Sequence, residues 1–188
     1  MSLSASVPCV PAGLQERITR FVAAARAVAA TVECVERSAQ AIGDAVAKAA
    51  PGAKRIVVAE ACDIPDSLFD LCRKLPGVFS ERTRRDLASA DVGVTDAFAA
   101  IATTGTLCVR IDEGMIGYAS LLARTHIVVV DADRIVERPS DLFRHDCLNG
   151  EGLRVNFVYI TGPSATADMG PLVRGVHGPH HLHVVVLS

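Results

Sequence analysis

The sequence contains no tryptophan and only 6 Phe and 2 Tyr in 188 residues. It therefore has little material for the aromatic platforms on which single-stranded nucleic acids stack. Basic residues are not in excess either, because 19 Lys and Arg stand against 21 Asp and Glu, and the pI is about 6.3. Nucleic-acid-binding domains usually show a basic patch and a high pI, so we expect no nucleic-acid partner.

Closely spaced cysteines are also missing. None of the six forms a Cys-x-x-Cys pair, the spacing on which zinc ribbons, thioredoxin-type sites and ferredoxin-type clusters depend. We therefore expect reduced thiols and no cofactor in this chain. No basic segment followed by an apolar run opens the sequence, and no apolar stretch reaches the ~20 residues that cross a bilayer. These features predict a cytoplasmic protein without a membrane span.

What the chain does contain is aliphatic residues in short runs. Half of it is hydrophobic (50%), and its mean hydropathy of +0.33 excludes general disorder. Strand-like runs, of which residues 126–130 are the clearest, alternate with helical patterns such as residues 13–30. This alternation predicts an α/β fold, a mostly parallel sheet with helices on both faces. We expect one domain over residues 1–188, with a flexible tail at 1–12, and a ligand site at the carboxyl ends of the strands.

Three loops have the residue types of an anion site. Residues 103–106 lie between a predicted helical turn at 96–103 and a strand, and combine glycine with three hydroxyl groups. Residues 162–168 follow a strand predicted at 155–161, and Pro163 suits the first turn of a helix, whose N-terminus binds anions. Each loop also has a plain alternative, an ordinary turn for the first and simple helix capping for the second.

The third loop, residues 175–179, begins a stretch that holds four of the six histidines. His181 and His183 could share one face of a strand, and His177 could reach them from the loop. No zinc signature such as His-Glu-x-x-His is present. The metal site therefore stays an alternative to ordinary surface histidines. Standard nucleotide-binding signatures are also absent.

Taken in order, these segments resemble the LUD (lactate utilisation) domain family, most closely its C-type members. The segments are residues 92–95, 101–107, 126–130, 160–169, 175–179 and 182–184. The specific part is the combination of Gly-Pro-Ser-x-Thr-Ala-Asp with Gly-Val-His-Gly-Pro, at this distance from a Thr-Gly-Thr loop. The resemblance covers roughly residues 14–187.

The resemblance implies a fold like that of the ribose-5-phosphate isomerase and CoA-transferase superfamily. It also implies a role in the oxidation of L-lactate to pyruvate, beside partner subunits that carry the iron–sulfur clusters. The chain itself would bind a small carboxylate such as lactate, or scaffold the complex. The missing Cys-x-x-Cys pairs agree with clusters that lie in the partners.

The family's motifs then assign the candidate site residues. Two of them, His177 and Asp168, would be catalytic. The candidate substrate-binding residues are Thr95, Thr104, Gly105, Thr106, Gly162, Ser164, Thr166 and Gly178.

The sequence also departs from the family's pattern. Thr103 stands where the family commonly has Glu, Gly170 where a carboxylate is common, and Ala165 where Arg is common. If either carboxylate is a base or a metal ligand in relatives, this chain lacks that activity. Two other functions are therefore retained. The chain could be a stand-alone isomerase or CoA-transferase-like enzyme for a phosphorylated or thioester substrate, or a non-catalytic module that binds a metal or ligand through its histidines.

Overall fold

The computed structural model of the chain describes residues 13–79, 87–111, 116–143, 156–167 and 170–188. The predicted flexible tail at 1–12 and the candidate residue Asp168 lie outside the described residues. Among the described helices, none is both long enough and apolar enough to cross a membrane.

The described helices and strands alternate over most of the chain. The helices are α1 (Leu14–Ala27), α2 (Ala39–Ala49), α3 (Ile116–Leu122) and α4 (Pro139–Leu142), with 3₁₀ turns at Asp66–Phe69, Cys72–Lys74 and Ala132–Arg134. The strands are β1 (Thr31–Val35), β2 (Ile56–Val58), β3 (Val92–Asp96), β4 (Ala99–Ile101), β5 (Thr106–Ile111), β6 (Thr125–Asp131), β7 (Ile135–Val136), β8 (Asn156–Ile160), β9 (Ala165–Thr166), β10 (Val173–Arg174) and β11 (His181–Leu187).

A five-stranded parallel sheet forms the centre, in the order β1-β11-β6-β3-β2. Strands β2, β6 and β11 contain continuous apolar runs because both faces of the sheet are covered there. One face packs on α2, through Ile42 and Val46, and on the 3₁₀ turns. The other face packs on α1, through Ile18 and Phe21, on α3 and on a second sheet. The predicted parallel α/β fold with helices on both faces is therefore confirmed.

The second sheet was not predicted. Its order is β7-β4-β5-β8, with β5 antiparallel to both of its neighbours. The predicted helical turn at 96–103 is wrong, because Ala99–Ile101 is strand β4. Its alanines favour a helix locally, but the pairing of Ala99 with Cys108 and of Ile101 with Thr106 overrides that preference.

The helix predicted after residue 162 is also absent. Ala165–Thr166 instead forms strand β9, which pairs with β10 in an antiparallel hairpin, Thr166 opposite Val173. Gly162 has φ +76°, and this left-handed turn directs the chain away from helical geometry. The described part of this loop therefore offers no helix N-terminus to a bound anion.

Candidate functional site

The two most specific sequence motifs meet at one cavity. It has a volume of about 440 Å³ and lies where the amino ends of β6 and β11 meet α3 and β8. Among the described residues, those that line it include four predicted site residues: Gly162, Ser164, His177 and Gly178. The remaining polar side chains in the lining belong to Ser120, His126, Tyr159 and Thr161.

The cavity lies at the opposite edge of the parallel sheet from the one expected. His126 and Leu182, which line it, each follow the first residue of their strand. The prediction of a site at the carboxyl ends of the strands is therefore wrong for these loops. The loop after β8 belongs to the second sheet, which is partly antiparallel. The rule that ligands bind at the carboxyl ends of strands applies to parallel sheets and does not predict the position of this loop.

Ser164 ties the two motif loops together. Its backbone N–H donates to the carbonyl oxygen of Pro179 at 3.0 Å, and its own carbonyl oxygen accepts from the N–H of Gly175 at 2.9 Å. A Cβ at Gly178 would lie 3.2 Å from the Cβ of Ser164. This close approach explains the glycine, and the neighbouring His177 lines the same cavity as Ser164.

Two predicted glycines anchor their loops on the end of helix α1. Gly105 has φ +65°, and a Cβ there would lie 2.3 Å from the backbone nitrogen of Ala25. Gly162 has φ +76°, and a Cβ there would lie 2.2 Å from the carbonyl oxygen of Val28. Only glycine satisfies both the positive φ and the lack of space. The glycines therefore position their loops against α1, and Gly162 also lines the cavity.

A chain of threonine hydroxyls connects the Thr-Gly-Thr loop to the cavity. The Oγ1 atoms of Thr104 and Thr106 lie 2.7 Å apart, and those of Thr106 and Thr161 lie 2.8 Å apart. Thr161 lines the cavity, whereas Thr104 and Thr106 are not part of its lining. Thr166, on strand β9, is likewise not in the lining. The structure thus brings these predicted residues near the cavity without placing them in its wall.

A buried histidine is the site residue that sequence reasoning missed. His126 is 0% exposed and lines the cavity. Its Nε2 lies 2.9 Å from Oγ1 of Thr95, which is also buried, whereas its Nδ1 has no hydrogen-bond partner among the described residues. Burial lowers the pKa of His126 to about 3, so the ring is neutral near pH 7. The available signal was a histidine within the apolar run of residues 126–130.

The other described histidines do not converge on a metal site. Nδ1 of His183 lies 2.7 Å from Oγ1 of Thr31, and burial lowers the pKa of His183 although Glu33 opposes this shift. His177 lies at the cavity instead. Within the residues that the structure describes, no group of three His, Cys, Asp or Glu side chains could hold a metal ion.

A separate polar cluster lies at the carboxyl end of β3. Asp96 is 1% exposed, and its Oδ2 accepts three consecutive backbone N–H groups, those of Cys62, Asp63 and Ile64, at 2.9, 2.6 and 3.1 Å. Oδ1 of Asp63 lies 2.6 Å from Nη2 of Arg110. Burial raises the pKa of both carboxyl groups. These contacts hold residues 62–64 against the central sheet.

Comparison with known proteins adds the family context. The family model described as "LUD domain" matches residues 18–187. "Lactate utilization protein C" of Bacillus subtilis (strain 168) is 34% identical over 112 residues, which cover 57% of this chain and 47% of that protein. "Lactate utilization protein C" of Deinococcus radiodurans is 32% identical over 156 residues, which cover 80% of this chain and 71% of that protein.

A different lactate protein also matches. "Lactate utilization protein B" of Shouchella clausii (strain KSM-K16) is 31% identical over 111 residues, which cover 57% of this chain and 22% of that protein. The chain thus spans about half the length of the first C-type relative and a smaller share of the B-type protein. A crystal structure of a DUF162 family protein from Deinococcus radiodurans superposes with a TM-score of 0.71 at 24% identity, over 95% of this chain and 100% of that one. This likeness shows the fold.

Proposed function

Because the chain belongs to the LUD domain family, whose model matches residues 18–187, we propose that it takes part in lactate utilisation as a carboxylate-binding subunit. It binds L-lactate or its product pyruvate at the cavity, and partner subunits that carry iron–sulfur clusters remove the electrons. The names of its C-type and B-type relatives support this assignment. The matches cover only part of each relative, and the complete activity of those proteins is therefore a proposal for this chain.

The observation that carries the proposal is the contact between Ser164 and Pro179, which brings both motif loops to one cavity. In the cavity lining, the hydroxyl of Ser164 can donate a hydrogen bond, and His177 is exposed to solvent. A small carboxylate bound there accepts from both groups. His177, which stands in solvent contact, is also the residue placed to pass a proton between ligand and water.

The described residues do not fit an iron–sulfur cluster. The thiols of Cys72 and Cys108 are buried in two separate core clusters, and Cys34 and Cys62 are exposed elsewhere on the chain. A cluster needs several thiolates around one centre. We therefore assign the electron-transfer groups to the partners and derive no redox step within this chain.

No observation favours the two alternative functions. A CoA-transferase-type mechanism needs a glutamate nucleophile, and none lies among the described residues that line the cavity. A metal-binding module needs converging ligands, and the described histidines do not supply them. Binding of a small acid by the two motif loops is the function that the geometry supports best.

Calorimetric titration of the full chain with L-lactate tests the proposal. We expect Ser164→Ala to weaken binding by about three- to tenfold, the range for loss of one hydrogen bond. Ser67→Ala is the matched control, because Ser67 is exposed on a 3₁₀ turn remote from the cavity. Absence of lactate binding, or equal binding by both variants, would overturn the site. Lactate oxidation by reconstituted partner subunits that proceeds equally well without this chain would overturn the role.

A further inference from the structure

His126 is the only polar side chain of the described cavity lining that is both fully buried and left with an unpartnered nitrogen. We propose that Nδ1 of His126 binds the oxygen at the 2-position of the ligand, so that the cavity selects 2-hydroxy and 2-keto monocarboxylates over plain carboxylates. This inference rests on the proposed function and names its substrate class. Nothing in the sequence motifs assigns His126 this role.

The unpartnered nitrogen is the first step of the argument. Buried polar atoms in folded proteins nearly always have a hydrogen-bond partner, and an exception calls for an explanation. Nε2 of His126 is already bonded to Thr95, so Nδ1 is the ring nitrogen that is buried without a partner. The residue lines a cavity large enough to admit an organic molecule. A polar atom of a bound ligand is therefore the partner that the site lacks.

The charge of the surroundings selects the kind of atom. No Asp, Glu, Lys or Arg occurs among the described residues that line the cavity, and the ring of His126 is neutral. A carboxylate held against the buried ring would have no counter-charge and would be costly to desolvate. The free-energy cost of desolvating an uncharged hydroxyl or carbonyl oxygen is much smaller. The acid therefore enters with its carboxylate outward, at Ser164 and His177, and its 2-oxygen inward.

The pair formed by His126 and Thr95 accepts both oxidation states of the ligand. When Nδ1 carries the proton it donates to a keto oxygen, and Nε2 then accepts from the hydroxyl of Thr95. When Nε2 carries the proton it donates to Oγ1 of Thr95, and Nδ1 then accepts from the hydroxyl of a 2-hydroxy acid. Thr95 thus positions the ring and acts through it. Because the neutral ring is a very weak base, His126 binds the ligand and does not remove its proton.

The apolar part of the wall sets the side chain that the acid can carry. Leu121, Val158, Ile160 and Leu182 line the same cavity. A cavity of about 440 Å³ falls within the range that holds whole small-molecule ligands. The site therefore also admits 2-hydroxy acids with apolar side chains longer than the methyl group of lactate.

The test compares L-lactate, pyruvate and propionate by calorimetry with the full chain. Propionate keeps the carboxylate and the chain length but lacks the 2-oxygen. We expect the wild-type chain to bind lactate and pyruvate about three- to tenfold more tightly than propionate, as for one neutral hydrogen bond. His126→Gln keeps an amide near the Nε2 position and loses Nδ1, and we expect it to bind all three acids equally.

Two further variants separate positioning from folding. His126→Asn carries its amide on Cγ, as Nδ1 is carried, and should keep part of the preference for lactate. Thr95→Val keeps the shape of Thr95 without its hydroxyl, and should reduce the preference for lactate while propionate binding stays constant. If the variants fold poorly, ¹⁵N-histidine spectra of the wild-type chain give the same answer, because the Nδ1 resonance of His126 should shift with lactate and not with propionate.

The outcomes distinguish this inference from the proposed function. Equal binding of lactate and propionate by the wild-type chain, or a preference that survives in His126→Gln, overturns the role of His126 and leaves a carboxylate site at Ser164. Absence of binding by all three acids overturns both.

Discussion

The backbone N–H of Ser164 lies 3.0 Å from the carbonyl oxygen of Pro179, and this hydrogen bond joins two loops that are adjacent in space but separate in sequence. Ser164 also accepts a hydrogen bond from Gly175, so it bridges both ends of the loop that carries His177. The position of His177 therefore depends on the backbone of residue 164. Changes that displace the turn before Ser164 should disturb both loops together.

Gly162 provides the test of that dependence. A Cβ at Gly162 would lie 2.2 Å from the carbonyl oxygen of Val28, and its φ is +76°. We expect Gly162→Ala to lower the free energy of unfolding by roughly 2–5 kcal/mol, the sum of left-handed strain and overpacking. Gly52→Ala is the matched control, since Gly52 has φ +73° with nothing within 4 Å. It should cost only the strain, about 1–2 kcal/mol.

Urea denaturation of the two variants measures both costs. Equal losses of stability would show that the close contact of residue 162 with Val28 adds nothing to the cost of the substitution. That result would contradict the packing described for this turn.

The ion pair between Asp63 and Arg110 gives a second prediction. The side chain of Asp63 is 4% exposed and lies 2.6 Å from Arg110. Arg110→Met leaves this carboxylate buried without its partner, so we expect a loss of about 3–5 kcal/mol at pH 7. Lys48→Met is the control, because Lys48 is 72% exposed in its pair with Glu33. Exposed pairs contribute about 0–1 kcal/mol.

The loss in Arg110→Met should also depend on pH. Burial already raises the pKa of Asp63, and Arg110 opposes that shift. Without Arg110 the pKa rises further, and the protonated carboxyl is tolerated in the core. A group whose pKa is raised in the folded state gives stability that is lost as pH rises through that pKa. The variant should therefore be closer to wild type at pH 4.5 than at pH 7, and equal losses at both would contradict this account.

The central sheet could be predicted because its strands are buried on both faces. Residues 126–130 and 182–187 are nearly continuous aliphatic runs, and this pattern is typical of parallel strands that are covered on both faces. Strand β4 could not be predicted in the same way. Its three residues, Ala99–Ile101, are a strand only because β5 and β7 pair with them. A short strand that forms only through pairing with distant segments shows no periodic pattern of apolar residues in the sequence.

The candidate site likewise contains residues that could be predicted from the sequence and one that could not. Gly162, Ser164, His177 and Gly178 were predicted because their loops carry specific motifs, and the structure brings them to one cavity. His126 was missed because its significance depends on the space that α3 and β8 leave above β6. A histidine within an apolar strand is usually an ordinary core residue. Only the missing partner of Nδ1, which is a three-dimensional property, distinguishes His126 from that case.

A third prediction concerns acid stability. Burial lowers the pKa of His126 to about 3, whereas in the unfolded chain it lies near 6.5. Below pH 6.5 the unfolded state binds a proton that the folded state does not, so stability falls as pH falls towards 3. The contribution of this one group is about 1.4 kcal/mol per pH unit. The advantage of wild type over His126→Gln should therefore shrink by this amount per unit between pH 6 and pH 4.

Comparison of the two proteins isolates His126, because His183, Asp63 and Asp96 titrate in both. Urea denaturation at half-unit pH intervals supplies the measurement. Parallel stability curves for the two proteins would mean that folding leaves the pKa of His126 unchanged, and would contradict its burial as a neutral ring.

The last prediction tests the cavity itself by filling it. Leu121 lines the cavity and is 50% exposed, so a larger side chain there does not disturb the core. We expect Leu121→Trp to occupy part of the cavity and weaken L-lactate binding at least about tenfold, or ~1.4 kcal/mol. Leu122 is the matched control, because it is the next residue of α3, is 44% exposed and does not line the cavity.

Calorimetry and thermal melting of Leu121→Trp and Leu122→Trp decide the prediction together. Both variants should melt close to wild type, since both positions face solvent. Only Leu121→Trp should lose affinity, because only that indole competes with the ligand for space. Equal lactate affinities in the two variants would place the ligand elsewhere on the protein, and the Ser164 and His126 variants would then be expected to bind as wild type does.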